Sequence, residues 1–505
     1  MKNHIRSAVV ALAAMLATAP AMAQKSADTL RAVDWTQIAD VTPYYNQIRD
    51  GIVISLHAWD ALVYRDPDTF ANKPLLATSW KFIDDTTLEF SLRKGVKFHD
   101  GSPFSADDVV YTYNSILNDK LVSTPSNFTW LAGTEKVDDY TVRVKLKRIF
   151  PAAIEYIGMV LPIMPKAYRE KVGVEAYSKA PIGTGPYRIT KVDGASEFDF
   201  ERFDDYFADS PKPKPAIKRL ILREETDNNT ALVALIGGKA DWTWNFIPDN
   251  FDNVAKMPNL VAMRGGAMRV YYLGFDVAGR TGANNPLTKE KVRQAIAYAI
   301  NRADMAKNLM QGDSKVLDTP CYPTQFGCDE AAAVKYPYDP AKAKALLAEA
   351  GYPNGFDTEL VTFVPPQYGA VMQNYLRAVG INAKISQLQV QAVIQRGIEG
   401  TLPLVLTNWG SYSINDASAF MPSFINGGSQ DYIRDPELQK LVDQGGSSVD
   451  PAERKRNYSA AIKMITEKMY FLPLFNSVVT YGMSKDLNFK PWPDELPRFY
   501  LSSWK

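Results

Sequence analysis

The chain has 505 residues, of which 57 are basic and 56 acidic. This balance leaves no strongly basic face for nucleic acid or for an anionic membrane surface, and we expect no nucleic-acid partner. A chain of this length exceeds what one hydrophobic core usually supports, so two or more lobes are expected.

The first 23 residues have the pattern of a secretory signal peptide. Lys2 and Arg6 precede an apolar stretch, Ala8 to Ala19, and an Ala-Met-Ala cleavage pattern ends at Ala23. The stretch is too short to span a bilayer, no later run approaches eighteen uncharged apolar residues, and no Cys stands at the cut site to carry a lipid. Loss of Lys2 and Arg6 reduces the basic residues from 57 to 55 against 56 acidic ones, a formal charge of −1. We therefore expect a signal peptide at 1–23 and a soluble, exported mature chain in the periplasm.

Two cysteines, Cys321 and Cys328, lie in a short segment rich in turn-forming residues. In an oxidising compartment an even pair at this spacing favours a disulfide. A metal pair is the alternative, although no neighbouring His completes a ligand set. Only His57 and His99 remain after processing. This scarcity of histidine argues against a Ser-His-Asp triad and against a His-rich metal site. We expect no metal and no cofactor.

Two short segments in the first half combine aromatic and polar side chains. The first follows a predicted strand at Thr29 to Val33 and includes Gln47 and Arg49; it is either a binding loop or the aromatic start of a helix. The second follows a predicted helix and includes Trp244 and Asn245.

Residues of about 63 to 180 predict a compact mixed insert. Apolar residues alternate with polar ones at 88–92 and at 142–146, as in half-buried strands. Between these runs Ser105 precedes two acidic residues, the pattern of a helix N-terminus.

Two glycine-rich segments invite comparison with phosphate-binding loops. PIGTGPYRI, residues 181 to 189, lacks the third glycine of a dinucleotide fingerprint, and Gly237-Gly238-Lys239 lacks the Ser or Thr that follows in a P-loop. Both segments therefore predict structural turns.

Helices and strands alternate in the second half of the chain. Thr288 is expected to cap a helix with one apolar face, and Asp339 and Asp450, each followed by Pro, are expected to start two more. Strands are predicted at 268–276 and near 359–363, 384–387 and 402–406. This alternation predicts a parallel-sheet lobe over about 269 to 475.

The stretch from Leu402 to Phe420 is the most informative in the chain. An apolar run ends at Thr407 and leads into a segment that combines a tryptophan with hydroxyl, amide and carboxylate groups. This reads as a buried strand that opens into a ligand-binding loop, since small molecules bind at the carboxyl ends of strands in open α/β sheets. The alternative is an ordinary loop with one half-buried Trp.

Several segments together resemble the periplasmic solute-binding proteins of peptide-type ABC importers, the oligopeptide, dipeptide and nickel-binding class called solute-binding protein family 5. The resemblance runs from about Thr29 to the C-terminus, and the segments occur in the family's order. They are LRKGVKFHDGSPFSADDVVYT, PIGTGPYRI, the DDYF segment, LIGGKADW, KVRQAIAYAINR, YDPAKAKALLAEAGY and the NW segment at Asn408.

The resemblance implies a bilobal α/β periplasmic-binding-protein fold of type II, with an extra domain inserted in the first lobe. The first lobe would comprise three segments, and solute would be trapped between the lobes by hinge closure. The implied parts are first-lobe segments 24–62, 181–268 and 476–505, the extra domain 63–180 and the second lobe 269–475.

The resemblance also implies binding residues. Trp409 matches the family's binding-site Trp at the end of a second-lobe strand, Trp244 an aromatic position of the first lobe, and Tyr272 a tyrosine on a strand that connects the lobes. Gln47 and Arg49 fall in a first-lobe loop that commonly touches ligand. We expect stacking by the two tryptophans and polar contacts from the remaining candidates, namely Ser411, Tyr412, Asn415, Asp416 and Asn245.

One position departs from the peptide-binding pattern. Peptide-binding members place an Asp three residues after the Trp, where it pairs with the ligand's ammonium, and this chain has Tyr412 there. A phenol is neutral at pH 7, so the charge-assisted contact is lost unless Asp416 replaces it. Relatives of the family also take opines, oligosaccharides and nickel chelates, and these stay open as ligand classes.

The predicted function is that of a periplasmic receptor that delivers a small organic solute to a membrane ABC permease with its cytoplasmic ATPase, as a monomer and with no chemistry of its own. A secreted hydrolase is the competing class, but the chain has no GxSxG motif and no His in a candidate groove segment. A receptor that signals to a chemosensor is a third possibility that the sequence does not separate.

Overall fold

The computed structural model describes residues 28–35, 38, 40–193, 196–311 and 314–505. The expected signal peptide, residues 1–23, lies outside this described part. The helices are α1 (Arg49–Ala58), α2 (Ala106–Ser115), α3 (Ala153–Val160), α4 (Lys166–Lys179), α5 (Asn228–Ile236), α6 (Phe251–Ala255), α7 (Glu290–Ala299), α8 (Arg302–Met305), α9 (Pro340–Glu349), α10 (Pro366–Ala378), α11 (Val390–Glu399), α12 (Met421–Phe424), α13 (Pro436–Ser447) and α14 (Pro451–Glu467). The strands are β1 (Thr29–Trp35), β2 (Val63–Arg65), β3 (Asn72–Pro74), β4 (Ala77–Asp84), β5 (Thr87–Leu92), β6 (Leu131–Asp138), β7 (Thr141–Leu146), β8 (Tyr187–Asp193), β9 (Glu197–Arg202), β10 (Arg219–Glu224), β11 (Trp242–Trp244), β12 (Leu260–Phe275), β13 (Phe356–Thr362), β14 (Ile381–Gln387), β15 (Leu404–Trp409), β16 (Phe471–Ser484), β17 (Leu487–Asn488) and β18 (Ser503–Trp504).

One mixed sheet of ten strands runs through both lobes. Its strand order is β14-β13-β15-β12-β16-β11-β1-β10-β9-β8. The antiparallel pair β12 and β16 forms its centre, with 16 and 14 residues. β16 pairs outward with β11 of the first lobe, whereas β12 pairs outward with β15 of the second lobe. The two long strands therefore connect the lobes.

The pairing of these two strands is interrupted at the junction between the lobes. Gly266 faces Val478 and the next paired residue, Val270, faces Asn476, so three residues of β12 lie opposite one of β16. Such a bulge bends a strand and weakens its ladder locally, which makes this point the natural hinge.

The segment GTGP packs directly on the end of α1 in the first lobe. The Gly185 amide donates to the Ala58 carbonyl at 3.0 Å. A Cβ on Gly183 would lie 2.1 Å from the Ala58 oxygen, and one on Gly185 would lie 2.5 Å from the His57 oxygen. The glycines therefore permit close backbone packing, in agreement with the prediction of a structural turn.

The insert is built on an antiparallel sheet of order β4-β5-β7-β6, which is separate from the ten-stranded sheet. The predicted alternation is confirmed, because Leu88 and Phe90 on β5 and Val142 and Val144 on β7 are fully buried. α2 covers this sheet and begins with a capping box in which the Ser105 amide donates to the α2 carboxylate three residues on. The boundaries of the insert and of both lobes stay predictions.

The second-lobe sheet is parallel only in part. β13 pairs parallel with β14 and with β15, as predicted. β15, however, pairs antiparallel with β12, because β12 arrives from the first lobe instead of after a crossover helix. The prediction of a parallel sheet over 269–475 is therefore correct for β13, β14 and β15. It is wrong for β12 and β16, the strands that connect the lobes, because these pair antiparallel.

The predicted cap at Thr288 is wrong. Thr288 lies in a short turn that precedes α7, and its hydroxyl donates to the Asn285 carbonyl at 2.8 Å. α7 starts after Lys289 with no side-chain cap. Asp339 and Asp450 do cap α9 and α14, and each accepts a backbone amide of the first turn.

The hydrophobic cores follow the lobes. One cluster joins the first lobe to the insert, and two others fill the second lobe around α7 and α10 and around α12 to α14. Within the described ranges, no helix is both long enough and apolar enough to cross a membrane.

Candidate functional site

The strand that carries the candidate Trp is longer than predicted. Leu404 and Leu406 are fully buried, but β15 does not end at Thr407. Residues 407 to 409 stay in the ladder because they pair with residues 270 to 272 of β12. Trp409 is therefore the last residue of a paired strand, and the strand, more than the following loop, fixes its position.

The chain then makes a left-handed turn of three residues. Ser411, Tyr412 and Ser413 have φ values of 51°, 51° and 60°. This conformation costs L-residues other than glycine about 1–2 kcal/mol each, so the turn needs external support. We call residues 410–416 the site loop.

The first lobe and the insert hold the site loop. Arg65 of the insert donates to the Ser413 carbonyl, and the Ser413 hydroxyl donates to the Asp494 carbonyl at 2.7 Å. The Asn415 amide donates to Glu155 at 2.8 Å. These hydrogen bonds join the second lobe to the other two parts of the molecule, so the structure has its lobes in contact.

Buried charges underlie this contact. The Arg65 guanidinium lies 2.6 Å from both Glu155 and Asp494, and Asp494 also pairs with Arg498. Burial alone would raise the pKa of Asp494, but Arg498 and Arg65 together hold it below its ordinary value. Asp494 is therefore ionised and paired at neutral pH.

The disulfide loop holds the site loop from the other side. Cys321 and Cys328 form a disulfide, as predicted. Between them, Phe326 exchanges backbone hydrogen bonds with Asn415 and Ala417, at 3.1 and 2.9 Å. The Gln325 side chain also donates to the Ile414 carbonyl at 2.7 Å.

Trp409 lies among aromatic side chains at the end of its strand. It is half-buried, and its ring is 5.4 Å from Tyr412 and 5.1 Å from Phe424, both edge to face. The Tyr412 hydroxyl interacts with Ser126 of the insert, and burial raises the pKa of this phenol, which therefore stays neutral. This part of the site offers a ring face and a neutral hydroxyl.

The role of Tyr272 as a ligand contact stays a prediction. Tyr272 is buried among Phe420, Phe424 and Phe471, behind Trp409. Its neighbour Tyr271, on the opposite face of β12, interacts with Asn408 at the end of β15.

A second group of side chains lies between β11 and the end of β15. Arg49, in the first turn of α1, has its guanidinium 4.6 Å above the Trp244 ring and 3.1 Å from Glu495. Arg269 of β12 contacts the same carboxylate at 2.9 Å and donates to Asn408 at 3.1 Å. Trp244 is only 1% exposed, so Arg49 covers the ring that was expected to stack on a solute.

The structure separates the remaining candidates. Gln47 is buried and bonds Val160 and Asn127 of the insert, and its contact with ligand stays a prediction. Asp416 is buried and paired with Arg454 at 2.9 Å. Its carboxylate is therefore not available to replace the missing ammonium partner.

Three candidates act in this structure through their backbone. Ser411 is buried, and its carbonyl closes the left-handed turn by accepting the Ile414 amide. Asn245 lies after β11 with φ 56°, and its amide and carbonyl are both bonded. Asn415 bonds Glu155 through its amide, while its buried Oδ1 has no hydrogen-bond partner in the described part of the chain.

Sequence reasoning did not find the charged residues of the lobe contact. These are Arg65, Glu155, Arg269, Asp494 and Glu495. Arg65 and Arg269 could have been recognised from the sequence, because each is a charged residue in an otherwise apolar run. A charge that is buried in this way needs a partner of opposite charge.

Comparison with known proteins identifies the family of the chain. The family model described as "Bacterial extracellular solute-binding proteins, family 5 Middle" matches residues 72–431. The chain is 28% identical to a di/tripeptide-binding protein of Pseudomonas aeruginosa, over 85% of each chain.

Solved structures have the same fold. HbpA2 from Haemophilus parasuis, 24% identical, superposes with a TM-score of 0.80 over 94% of this chain and all of that one. The binding protein AgaA from A. tumefaciens R10, in complex with agropinic acid, is 25% identical with a TM-score of 0.74, over 93% of this chain and 96% of that one. The chain thus has the bilobal fold of periplasmic binding proteins and belongs to the bacterial extracellular solute-binding proteins of family 5, the solute-binding components of ABC importers.

Proposed function

We propose that this chain captures a small organic solute in the periplasm, between its two lobes, and delivers it to the permease and ATPase of its importer. It would act as a monomer, exported by the signal peptide at 1–23. The observation that carries this proposal is the site loop, which follows a second-lobe strand and bonds Arg65, Glu155 and Asp494 across the cleft.

Lobe closure gives the proposal its mechanism. A solute that touches both lobes favours the closed state by the difference between its affinities for the closed and open forms. The hydrogen bonds of the site loop form only when the lobes meet, so solute binding and loop docking support each other. The permease can then distinguish the loaded receptor by its shape.

The solute class we favour is peptide-like. The di/tripeptide-binding relative supports it, and Trp409, the Tyr412 hydroxyl and the unpartnered Asn415 Oδ1 suit a solute with apolar and polar parts. An opine-like solute is the second candidate. It is favoured by the agropinic acid complex of AgaA and by Tyr412, which gives an ammonium group no charged partner.

We propose that the chain performs no reaction on its solute. A hydrolase would need a free base, and both described histidines are bonded to backbone groups, with His57 buried and His99 half-buried. Desolvation lowers the pKa of His57 to about 3 and that of His99 to about 4, so both imidazoles are neutral. Their ring nitrogens are already engaged, which favours a structural role over catalysis.

Native mass spectrometry of the purified protein tests the function. We expect one intact solute per chain, which can be released, identified and rebound. Trp409→Ala should then weaken rebinding about tenfold, since a stacked aromatic contact contributes about 1.5 kcal/mol. Trp80→Ala is the matched control, because Trp80 is a half-buried tryptophan on the insert sheet and packs on Phe90.

Three results would contradict the proposal. They are a solute recovered as a cleaved product, equal affinity of wild type and Trp409→Ala, or the same loss of affinity in Trp80→Ala and Trp409→Ala.

A further inference from the structure

Arg49, Arg269 and Glu495 form a charged cluster whose role is not explained by the contact between the lobes. The two arginines come from α1 and from the connecting strand β12, and both contact one carboxylate, at 3.1 and 2.9 Å. Each arginine side chain is 28% exposed, whereas Glu495 is 5% exposed. The positive groups thus remain accessible while the negative one is covered.

The arginines carry more hydrogen-bonding capacity than the cluster uses. Arg49 binds Glu495 through Nη1, and its buried Nε has no hydrogen-bond partner among the residues that the structure describes. Arg49 therefore keeps a donor that a further acceptor can use, and such a contact is favourable because an unpaired buried donor is costly.

The backbone also leaves room for Arg269 beside the site loop. A Cβ on Gly410 would lie 3.0 Å from Nη2 of Arg269 and 3.6 Å from a Glu495 oxygen. A larger residue at 410 would press on the guanidinium, whereas glycine lets it reach the end of β15, where it donates to Asn408.

The other ion pairs at the lobe contact have one arginine for each acid, whereas this cluster has two arginines for one acid. The three other acids at the lobe contact, Glu155, Asp494 and Asp416, are matched by three arginines, namely Arg65, Arg498 and Arg454. Two arginines against Glu495 leave one positive charge. A ligand ammonium that approached Glu495 would find its carboxylate already shared by two guanidinium groups.

We propose that Arg49 and Arg269 form a subsite for a carboxylate of the solute, beside Glu495. A carboxylate accepts two parallel hydrogen bonds from a guanidinium, and a site with excess positive charge and a covered counter-ion favours an anion over an amine. This proposal rests on the proposed function and narrows its solute to one that carries a carboxylate, placed between Trp244 and the end of β15.

The test uses pairs of probes that differ in charge alone. Peptides of two to four residues and imino diacids are each prepared as the free acid and as the neutral carboxamide, and affinities are measured by calorimetry. We expect the acids that bind to lose about 30-fold on amidation, the effect of a charge-assisted contact worth about 2 kcal/mol. Arg269→Gln and Arg49→Gln should each weaken acid binding and reduce the acid-to-amide ratio to below about threefold by the same reasoning.

Arg264→Gln provides the matched control. Arg264 lies on the same strand, half-buried, but packs over Phe251 and bonds Gln311, outside the cluster. This variant should keep the full acid preference.

The subsite is overturned if amides bind as well as acids, if both Gln variants keep the acid preference, or if no acid of the panel binds. The wild-type comparison of acid and amide decides the question even if a variant fails to fold. A neutral solute that binds one to one and depends on Trp409 would overturn the subsite and leave the proposed function standing. A purified protein with no intact solute would contradict the function instead.

Discussion

At the scale of single residues, two histidines bonded to backbone groups make the stability of the fold depend on pH. His57 accepts the Phe499 amide and bonds the Val53 carbonyl, whereas His99 bridges Gly183 and Gly185. Desolvation holds the pKa of His57 at about 3 and of His99 at about 4, far below the unfolded value of about 6.5. The unfolded chain therefore binds more protons as the pH falls below that value.

We expect the free energy of unfolding to fall between pH 6 and pH 5. Each histidine contributes up to about 1.4 kcal/mol per pH unit, so the two together lower it by roughly 2 kcal/mol. The loss begins below pH 6.5 and ends near the folded pKa values, and above pH 7 these residues add no pH dependence. Urea denaturation at pH 7, 6 and 5 measures this change in the free energy of unfolding.

His99→Gln should remove about half of this decrease in the free energy of unfolding. The amide can still donate to the Gly185 carbonyl, but it does not titrate. A wild-type unfolding free energy that is the same at pH 7 and pH 5 would contradict the assignment of neutral, buried imidazoles.

Arg65 is the residue on which the charged contact between the lobes depends. We expect Arg65→Met to lower the free energy of unfolding by about 3–5 kcal/mol, because it leaves Glu155 without its cation and Asp494 with Arg498 alone in a buried site. Urea denaturation measures the change.

Arg143→Met is the matched control for this substitution. Arg143 pairs with Glu89 on the open face of the insert sheet, where solvent screens the pair. We expect a loss of about 0–1 kcal/mol there. Equal losses in the two variants would show that burial does not govern the Arg65 network.

At the scale of elements, the disulfide loop acts as a support for the site loop. Double substitution Cys321→Ala and Cys328→Ala should lower the free energy of unfolding by about 2–3 kcal/mol, the entropy expected for so short a closed loop. Since Phe326 holds Asn415 and Ala417, we also expect faster hydrogen exchange at the Ala417 amide.

The Leu406 amide, in the middle of β15, serves as the internal control for this exchange measurement. Its protection should change little, because β13 and β12 flank it on both sides. If Ala417 and Leu406 respond alike, the disulfide stabilises the lobe as a whole and does not support the site loop in particular.

Elements with local signals could be predicted from the sequence. The caps at Ser105, Asp339 and Asp450 and the alternation on β5 and β7 appear in the structure because each depends on neighbours within a few residues. Thr288 failed because Asn285 begins a turn just before it. The end of β15 also escaped prediction, since pairing with a strand more than a hundred residues away extends it to Trp409.

The candidate site could be predicted only in part, for the same physical reason. Trp409 and Tyr412 could be located at the end of a recognisable strand, and their contact with solute stays a prediction. Three other contacts join distant parts of the chain. Arg49 covers Trp244, Arg454 pairs with Asp416, and two arginines share Glu495. No local pattern encodes which arginine reaches which acid.

At the scale of the whole molecule, the ten-stranded sheet combines a continuous core with one weak point. The bulge opposite Ser477 separates the part of β16 that pairs with β11 from the part of β12 that pairs with β15. Rotation there moves the second lobe without breaking either outer sheet. The contacts that such a rotation would break are those of the site loop with Arg65, Glu155 and Asp494.

We therefore expect the protein to become more compact when it binds its solute. The radius of gyration from small-angle X-ray scattering should fall when the solute released from the purified protein is added back, because the site loop then docks on the first lobe and the insert. Arg65→Met should keep a larger radius at the same solute concentration, since one side of the docking contact is lost, while Arg143→Met should close like the wild type.

Two results would contradict this expectation. A radius that does not change with solute would mean that the site loop stays docked in both states, and a radius that falls equally in Arg65→Met would mean that the loop does not control closure. If the radius does not change with solute, the selectivity of the importer for loaded receptor has to arise from a change smaller than the movement of a lobe, because shape is what distinguishes the closed form. If it falls equally in Arg65→Met, the lobes close without the contact that Arg65 makes.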